Sequence, residues 1–191
     1  MQHSVFALEL CLRADLAPGL VTSLRERIKN HPEAASRDAK WRFYKNLSEE
    51  LVLNLSAAER GYWDFFDEDA RAKKYYDMWV NGMTTREGAR GQPSGGGGPY
   101  RSEPRYLTLT MSFLIRNGSP SERALAEACN VWESMLWQRS TFAKLLTDLR
   151  MLSFASVRSD VVYLIPRDEG WELTLQDLSE PKFEYLRPIQ G

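Results

Sequence analysis

The sequence is poor in the residues that build metal and nucleophile sites, with two histidines and two cysteines among 191 residues. His3 and His31 belong to no spaced metal motif, and Cys11 and Cys129 lie in separate apolar-periodic segments. Zinc sites need more ligands than this pattern brings together. No Gly-x-Ser-x-Gly elbow supports a nucleophile assisted by His31, although such groups assemble in space. We therefore predict no metal site, no cofactor and no catalytic residues, with both cysteines acting as reduced, buried apolar side chains.

The sequence also lacks an excess of charge of either sign, and it has no long run of apolar residues. Its 25 basic and 26 acidic side chains leave a net charge of −1, so no long-range field gathers phosphates and nucleic-acid binding is not expected. The apolar runs are far shorter than the ~20 residues that span a bilayer, and no basic leader opens the chain. We expect a cytoplasmic protein without a transmembrane segment, folded as a single domain over 1–191.

Three segments have the composition of strands. Phe6, Leu8, Leu10 and Leu12 are spaced at period two, residues 106–116 alternate in the same way, and residues 157–165 are rich in β-branched side chains. Helical periodicity fills most of the intervening chain. The pattern predicts an α+β fold, with a small mixed sheet of about three strands packed with several helices. Because helices join the last two strands, we expect that pair to be parallel.

Two capping signals mark predicted helix starts. Ser56 and Glu59 have the spacing of a capping box, which predicts a short helix carrying Tyr62, Trp63 and Phe66. A second signal at residues 119–122 predicts a helix continuing to about residue 137.

Glycine and proline are concentrated in one stretch, at about 81–105, which includes four consecutive glycines. A phosphate-binding loop requires Gly-Lys-Ser/Thr, whereas here Gly98 is followed by Pro99. The composition instead predicts a flexible Gly/Pro-rich insertion. Because long loops over compact domains are often functional, a ligand site beneath this insertion stays open as an interpretation.

Tryptophan is the residue type with the clearest link to an interaction surface. Three tryptophans fall on predicted core faces: Trp41, Trp79 and Trp132. Trp137 instead projects to the side of its predicted helix, and exposed tryptophans often anchor interfaces, although a second packed layer would bury it. We therefore interpret Trp137, with Trp171 and Tyr185 from the C-terminal segment, as a candidate partner-binding surface.

The order of features in the second half of the chain resembles a known family. The features are a strand ending near a glycine, a Leu-rich helix, a Val-rich strand running into a proline, an acidic-glycine turn, a Leu-rich capped segment and a Pro-Leu tail. They correspond to residues 106–118, 145–152, 161–166, 167–170, 173–178 and 185–189. This order resembles domain-of-unknown-function family 1517 of cyanobacterial, plastid and other bacterial proteins.

The chain departs from that family's pattern in three places. It has no upstream hydrophobic segment like that of the membrane-anchored photosynthetic members, residues 122–137 look inserted, and Ile165 precedes the proline where an aromatic is expected. The resemblance implies an α+β fold and carries over no catalytic residues.

Together these features predict a non-enzymatic domain that acts through a protein partner or self-association, as an accessory or assembly factor. The alternative is a small-molecule-binding module or an unrecognised enzyme, with its site beneath the 81–105 insertion.

Overall fold

The computed structural model describes residues 2–32, 36–84, 103–167 and 172–191, with the backbone alone at 83 and 84. These residues form five α-helices and a five-stranded sheet, so the predicted α+β class is confirmed. In chain order the elements are β1 His3–Arg13, α1 Pro18–Lys29, α2 Arg37–Leu53, β2 Ala58–Phe66, α3 Asp69–Thr84, β3 Tyr106–Arg116, α4 Pro120–Cys129, α5 Arg139–Asp148, β4 Val157–Ile165 and β5 Arg187–Pro188.

The strands lie in the order β4-β3-β1-β2-β5, and each pairing is antiparallel. The expected parallel pair is wrong, because β3 and β4 run in opposite directions. Two helices, α4 and α5, pack against each other between these strands. The chain leaves β3 at one end of the sheet, and the two helices bring it back to the same end. Val157, the first residue of β4, therefore lies opposite Ile115 near the end of β3.

The predicted count of about three strands is too low because β2 was assigned to a helix and the two-residue strand β5 was not predicted. The segment after the Ser56 signal forms one short 3-10 turn, Leu55–Ala57, and then enters β2. Aromatic side chains favour strands, and pairing with β1 from Val5↔Phe66 to Leu12↔Ala58 satisfies the backbone of this segment. The helix signal was local, whereas the strand depends on a partner distant in sequence.

Helices and chain segments cover both faces of the sheet. We call one side the four-helix face, where α1, α2, α4 and α5 pack on the apolar residues that include Leu8 and Leu109. We call the other the Glu9 face, where α3 and the C-terminal segment pack on residues that include Ala7 and Cys11. Both central strands are buried almost throughout, nine of eleven residues in β1 and ten of eleven in β3.

A glycine in β2 allows α5 to approach the sheet. A Cβ atom at Gly61 would lie 2.6 Å from a ring carbon of Phe142. No real side chain tolerates that distance, so the glycine is required by the contact between α5 and β2.

Most of the predicted 81–105 insertion lies outside the described residues. Helix α3 continues to Thr84, three residues beyond the predicted start of the insertion, and β3 begins at Tyr106.

Candidate functional site

One ionisable side chain lies in the middle of the Glu9 face. Glu9 is on the central strand β1 and is 1% exposed. In the sheet register it lies opposite Thr110 on one side and Tyr62 on the other, and Thr110 pairs in turn with Tyr163. Glu9 is therefore the one acid in a row of hydroxyl-bearing side chains that crosses four strands.

The carboxyl of Glu9 accepts a hydrogen bond from a neutral donor. The Tyr185 hydroxyl donates to Oε2 at 2.7 Å. Within the described part of the chain, Oε1 has no hydrogen-bond partner and no cationic side chain forms an ion pair with Glu9. Burial raises the pKa of Glu9 to about 7, and the opposing effect of the Tyr185, Thr110 and Thr108 hydroxyls does not offset it. A carboxyl with this pKa takes up and releases a proton near neutral pH.

Aromatic rings cover the region next to Glu9. We define the Tyr62 cluster as Tyr62, Tyr75, Trp79 and Tyr185. The Tyr62 ring centre lies 5.3 Å from that of Tyr185 and 6.3 Å from that of Trp79, and Trp79 is 5.8 Å from Tyr185 and 5.9 Å from Tyr75. The cluster joins β2, α3 and the C-terminal segment, which are distant in sequence.

The phenols of this cluster remain neutral at physiological pH. The Tyr75 hydroxyl donates to that of Tyr62 at 3.0 Å, and Tyr62 donates to Asp64 at 2.8 Å. Burial is the largest effect on both, raising the pKa of Tyr62 to about 12 and that of Tyr75 further. Both rings are therefore uncharged neighbours of Glu9.

Three further buried polar atoms on this side have no hydrogen-bond partner within the ranges the structure describes. They are the indole nitrogen of Trp79 and the hydroxyl oxygens of Thr108 and Thr110. Buried polar groups in folded proteins are nearly always hydrogen-bonded. These atoms miss the standard geometry, but the two threonine hydroxyls still act on the Glu9 carboxyl and Trp79 acts on the Tyr75 hydroxyl. We therefore take the region around Glu9 as the candidate site. The end of α3 lies over it, since a Cβ atom at Gly82 would be 3.3 Å from the Tyr163 hydroxyl.

The structure places two of the three predicted partner-binding residues beside this site. Tyr185 and Trp137 are both half-buried, and both rings contact Tyr62. The Trp137 ring stacks on Tyr62 with centres 6.3 Å apart. The predicted helix carrying Trp137 ends earlier, at Cys129, so Trp137 lies in the turn that precedes α5. Trp171 lies outside the described residues.

Sequence reasoning missed Glu9 as a site residue. The available signal was an acid within an alternating apolar strand, which the period-two pattern assigns to a solvent-facing side. The Glu9 face is covered by α3, so that acid is buried instead.

A second buried carboxyl, Asp160 on β4, lies on the four-helix face and is fully paired. Lys40 donates to Oδ1 at 2.5 Å, and Tyr44 donates to Oδ2 at 3.0 Å. The Nε2 atom of His31 is 3.2 Å from Oδ2. Burial acts to raise the pKa of Asp160, but the contacts with His31, Lys40 and Tyr44 outweigh it and hold the pKa below its usual value. This cluster ties an edge strand to α2 and the end of α1.

The structure corrects the prediction for Trp132, which is 83% exposed instead of lying in the core. It follows the end of α4, and Met135, three residues later, is also exposed. A separate groove of about 280 Å³ lies between α2 and α5, with apolar walls formed by Val52, Leu53 and Leu146.

Neither metal nor membrane features are found in the described ranges. These residues contain no group of three or more His, Cys, Asp or Glu side chains able to hold a metal ion. Within the same residues, no helix combines the length and the apolar character needed to cross a membrane.

Comparisons with family models, curated proteins and solved structures found no match to this chain. The resemblance to domain-of-unknown-function family 1517 therefore stays a prediction.

Proposed function

We propose that the protein is a small-molecule-binding module whose recognition group is the carboxyl of Glu9. One observation carries the proposal: a carboxyl at the centre of the sheet is buried with one oxygen unpartnered among the described residues. Burying an ionisable group without a compensating charge costs several kcal/mol of stability. A buried, perturbed acid beside other unpartnered polar groups is typical of a functional site.

The position of the site also supports ligand binding. Trp79 and Gly82 from the last turns of α3 lie over the Glu9 face. Helix α3 leads into the predicted Gly/Pro-rich insertion, beneath which a ligand site is the alternative interpretation of the sequence. Ligand sites combine apolar and aromatic walls with a few polar groups, and the Tyr62 cluster with Glu9 and the two threonines has that composition.

The test is a thermal-shift screen of a metabolite library at pH 7.5, run in parallel on the wild type and on Glu9→Gln. We expect at least one compound to raise the melting temperature of the wild type and not that of the variant. Glu127→Gln is the matched control, because Glu127 is exposed on α4 and loses the same charge. The proposal would be contradicted if every stabilising compound raised the melting temperatures of the wild type and Glu9→Gln equally.

A second candidate function is protein interaction or self-association in an accessory or assembly role. The observation that favours it is the exposed Trp132, because large exposed aromatic side chains are enriched among the energetically dominant residues of interfaces. Met135 and the half-buried Trp137 follow in the same turn and extend this surface.

Sedimentation velocity over a range of protein concentrations tests self-association, and affinity purification from the native cell tests partner binding. We expect Trp132→Ala to reduce association more than Trp137→Ala, because Trp137 is held against Tyr62. Unchanged association and an unchanged set of bound proteins in both variants would contradict this second function.

A further inference from the structure

Within the proposed small-molecule function, on which this inference rests, we infer that the ligand presents a protonated primary amine to Glu9. Three features of the site support this inference: its charge, the oxygens that lie beside Glu9, and the neighbouring aromatic surface.

The charge of the site favours a cation. Glu9 is buried, and its only hydrogen bond within the described ranges comes from the neutral Tyr185 hydroxyl. An anionic ligand would be repelled by the ionised carboxylate, and an apolar ligand would leave Oε1 without a partner. An ammonium group supplies both the missing charge and a hydrogen-bond donor.

The oxygens beside Glu9 match the donors of an ammonium group. A primary ammonium has three N–H donors and no acceptor. Among the described residues, three oxygens without a hydrogen bond of standard geometry lie on one face of two neighbouring strands: Glu9 Oε1 and the Thr108 and Thr110 hydroxyls. Both hydroxyls lie close enough to Glu9 to lower its pKa. Thr110 is directly opposite Glu9 and Thr108 is the diagonal neighbour, so their side chains lie within the range over which cross-strand neighbours interact. A nitrogen within reach of all three oxygens would satisfy three buried groups at once.

The aromatic surface is also suited to a cation. The Tyr62 cluster places tyrosine and tryptophan rings next to the carboxyl, with Tyr185 contacting both Glu9 and Tyr62. The faces of such rings carry negative electrostatic potential and attract ammonium groups, most strongly where water is excluded.

Amine binding should depend on pH in a defined direction. Binding of a cation favours the ionised form of Glu9, whose pKa in the free protein is about 7. Below that pH the carboxyl must lose a proton before binding, so affinity should fall by about tenfold per pH unit. Above it, affinity should level off until the amine itself loses its proton.

The experiment measures binding of n-butylammonium and phenethylammonium at constant ionic strength, by thermal shift and by tryptophan fluorescence, at pH 6 and pH 8. Probes of similar shape without the cation are n-butanol and butyrate. We expect the amines alone to stabilise the wild type, more at pH 8 than at pH 6, and Glu9→Gln to weaken binding by at least about tenfold. Glu127→Gln should behave like the wild type.

Two variants keep the test decisive if Glu9→Gln folds poorly. Thr110→Val and Thr108→Val each preserve side-chain shape and remove one acceptor, so each should weaken amine binding severalfold. No amine response in the folded wild type, or an equal response in the threonine variants, would overturn the inference. Stabilisation by n-butanol or butyrate that depends on Glu9 would overturn the amine assignment while the small-molecule function survives. A failure of the function itself would show as the absence of any Glu9-dependent compound in the metabolite screen.

Discussion

Two buried carboxyls on opposite faces of one sheet have opposite protonation behaviour. The Asp160 side chain is 3% exposed and contacts Lys40, His31 and Tyr44, and its pKa is lowered. Glu9 is as deeply buried, but its one hydrogen-bonding partner among the described residues is the neutral Tyr185, and its pKa is raised to about 7. Burial acts in the same direction on both groups, so the partners decide the outcome. Asp160 is stabilised by charged partners within the protein, whereas Glu9 has no cationic partner among the described residues.

The largest effect is expected at Asp160. Asp160→Asn should lower the free energy of unfolding by about 3 kcal/mol, because it leaves the Lys40 ammonium without its buried counter-charge. Urea denaturation at pH 7 measures this loss. Asp148→Asn is the control, since it removes the more exposed Lys144 pair and should cost less than about 0.5 kcal/mol. Equal losses in the two variants would show that the Asp160 pairs add nothing to stability.

At Glu9, the substitution is expected to raise the free energy of unfolding instead of lowering it. Its folded-state pKa of about 7 exceeds the usual value of 4.5, so ionisation destabilises the fold above pH 7 and the penalty vanishes below pH 4.5. That penalty is about 3 kcal/mol. Glu9→Gln should recover about 2 kcal/mol at pH 8, since the amide must still be hydrogen-bonded. The stability difference between variant and wild type, measured by urea denaturation from pH 5 to pH 8, should grow with pH; a difference independent of pH would contradict the raised pKa.

Smaller effects are expected at the two tyrosines that donate hydrogen bonds to these carboxyls, Tyr185 to Glu9 and Tyr44 to Asp160. Tyr185→Phe removes the hydrogen bond from the Tyr185 hydroxyl to Glu9 and should cost about 1.5 kcal/mol at pH 8. Tyr44→Phe removes one of three contacts to Asp160 and should cost about 1 kcal/mol, because Lys40 and His31 remain. The free energies of unfolding of both variants are compared at pH 8 and pH 5. The cost of Tyr185→Phe should shrink at pH 5, where Glu9 is neutral, and a cost that persists unchanged would argue against the ionised acceptor.

The smallest effect is expected at the unpartnered hydroxyls. Thr110→Val should change the free energy of unfolding by less than about 0.5 kcal/mol, or raise it slightly, because no hydrogen bond within the described residues is lost. Ser121→Ala is the contrast, since Ser121 accepts the Ser153 backbone N–H at 2.9 Å and its loss should cost about 1 kcal/mol. Chemical denaturation compares the two. A loss at Thr110 as large as that at Ser121 would mean that the hydroxyl has a structural partner.

Local residue patterns were sufficient to predict most of the helices and strands. The period-two spacing around Leu8 and Leu109 predicted β1 and β3, and the β-branched run predicted β4. Helix α4 begins where its capping serine predicts, with Ser119 accepting the Glu122 backbone N–H. These features depend on side-chain periodicity and on contacts a few residues apart, which the sequence displays directly.

Two of the predictions that failed depend on contacts distant in sequence, and a third depends on where a helix ends. Strand β2 exists because it pairs with β1, and the antiparallel order of β3 and β4 depends on how α4 and α5 pack. Trp132 is exposed because α4 ends at Cys129, before the predicted periodicity does.

Local residue patterns were enough to predict the α+β class, three of the strands and the apolar residues of the four-helix face. The burial of Glu9, in contrast, depends on tertiary packing. An acid among the alternate positions of a strand gives the same sequence pattern whether water or a helix covers that face. Here the covering elements are α3 and a C-terminal segment that begins more than 160 residues after Glu9. The same packing brings Tyr185 to Glu9 and leaves Asp160 fully paired, because the partners of a buried charge are chosen by packing and not by neighbouring residues.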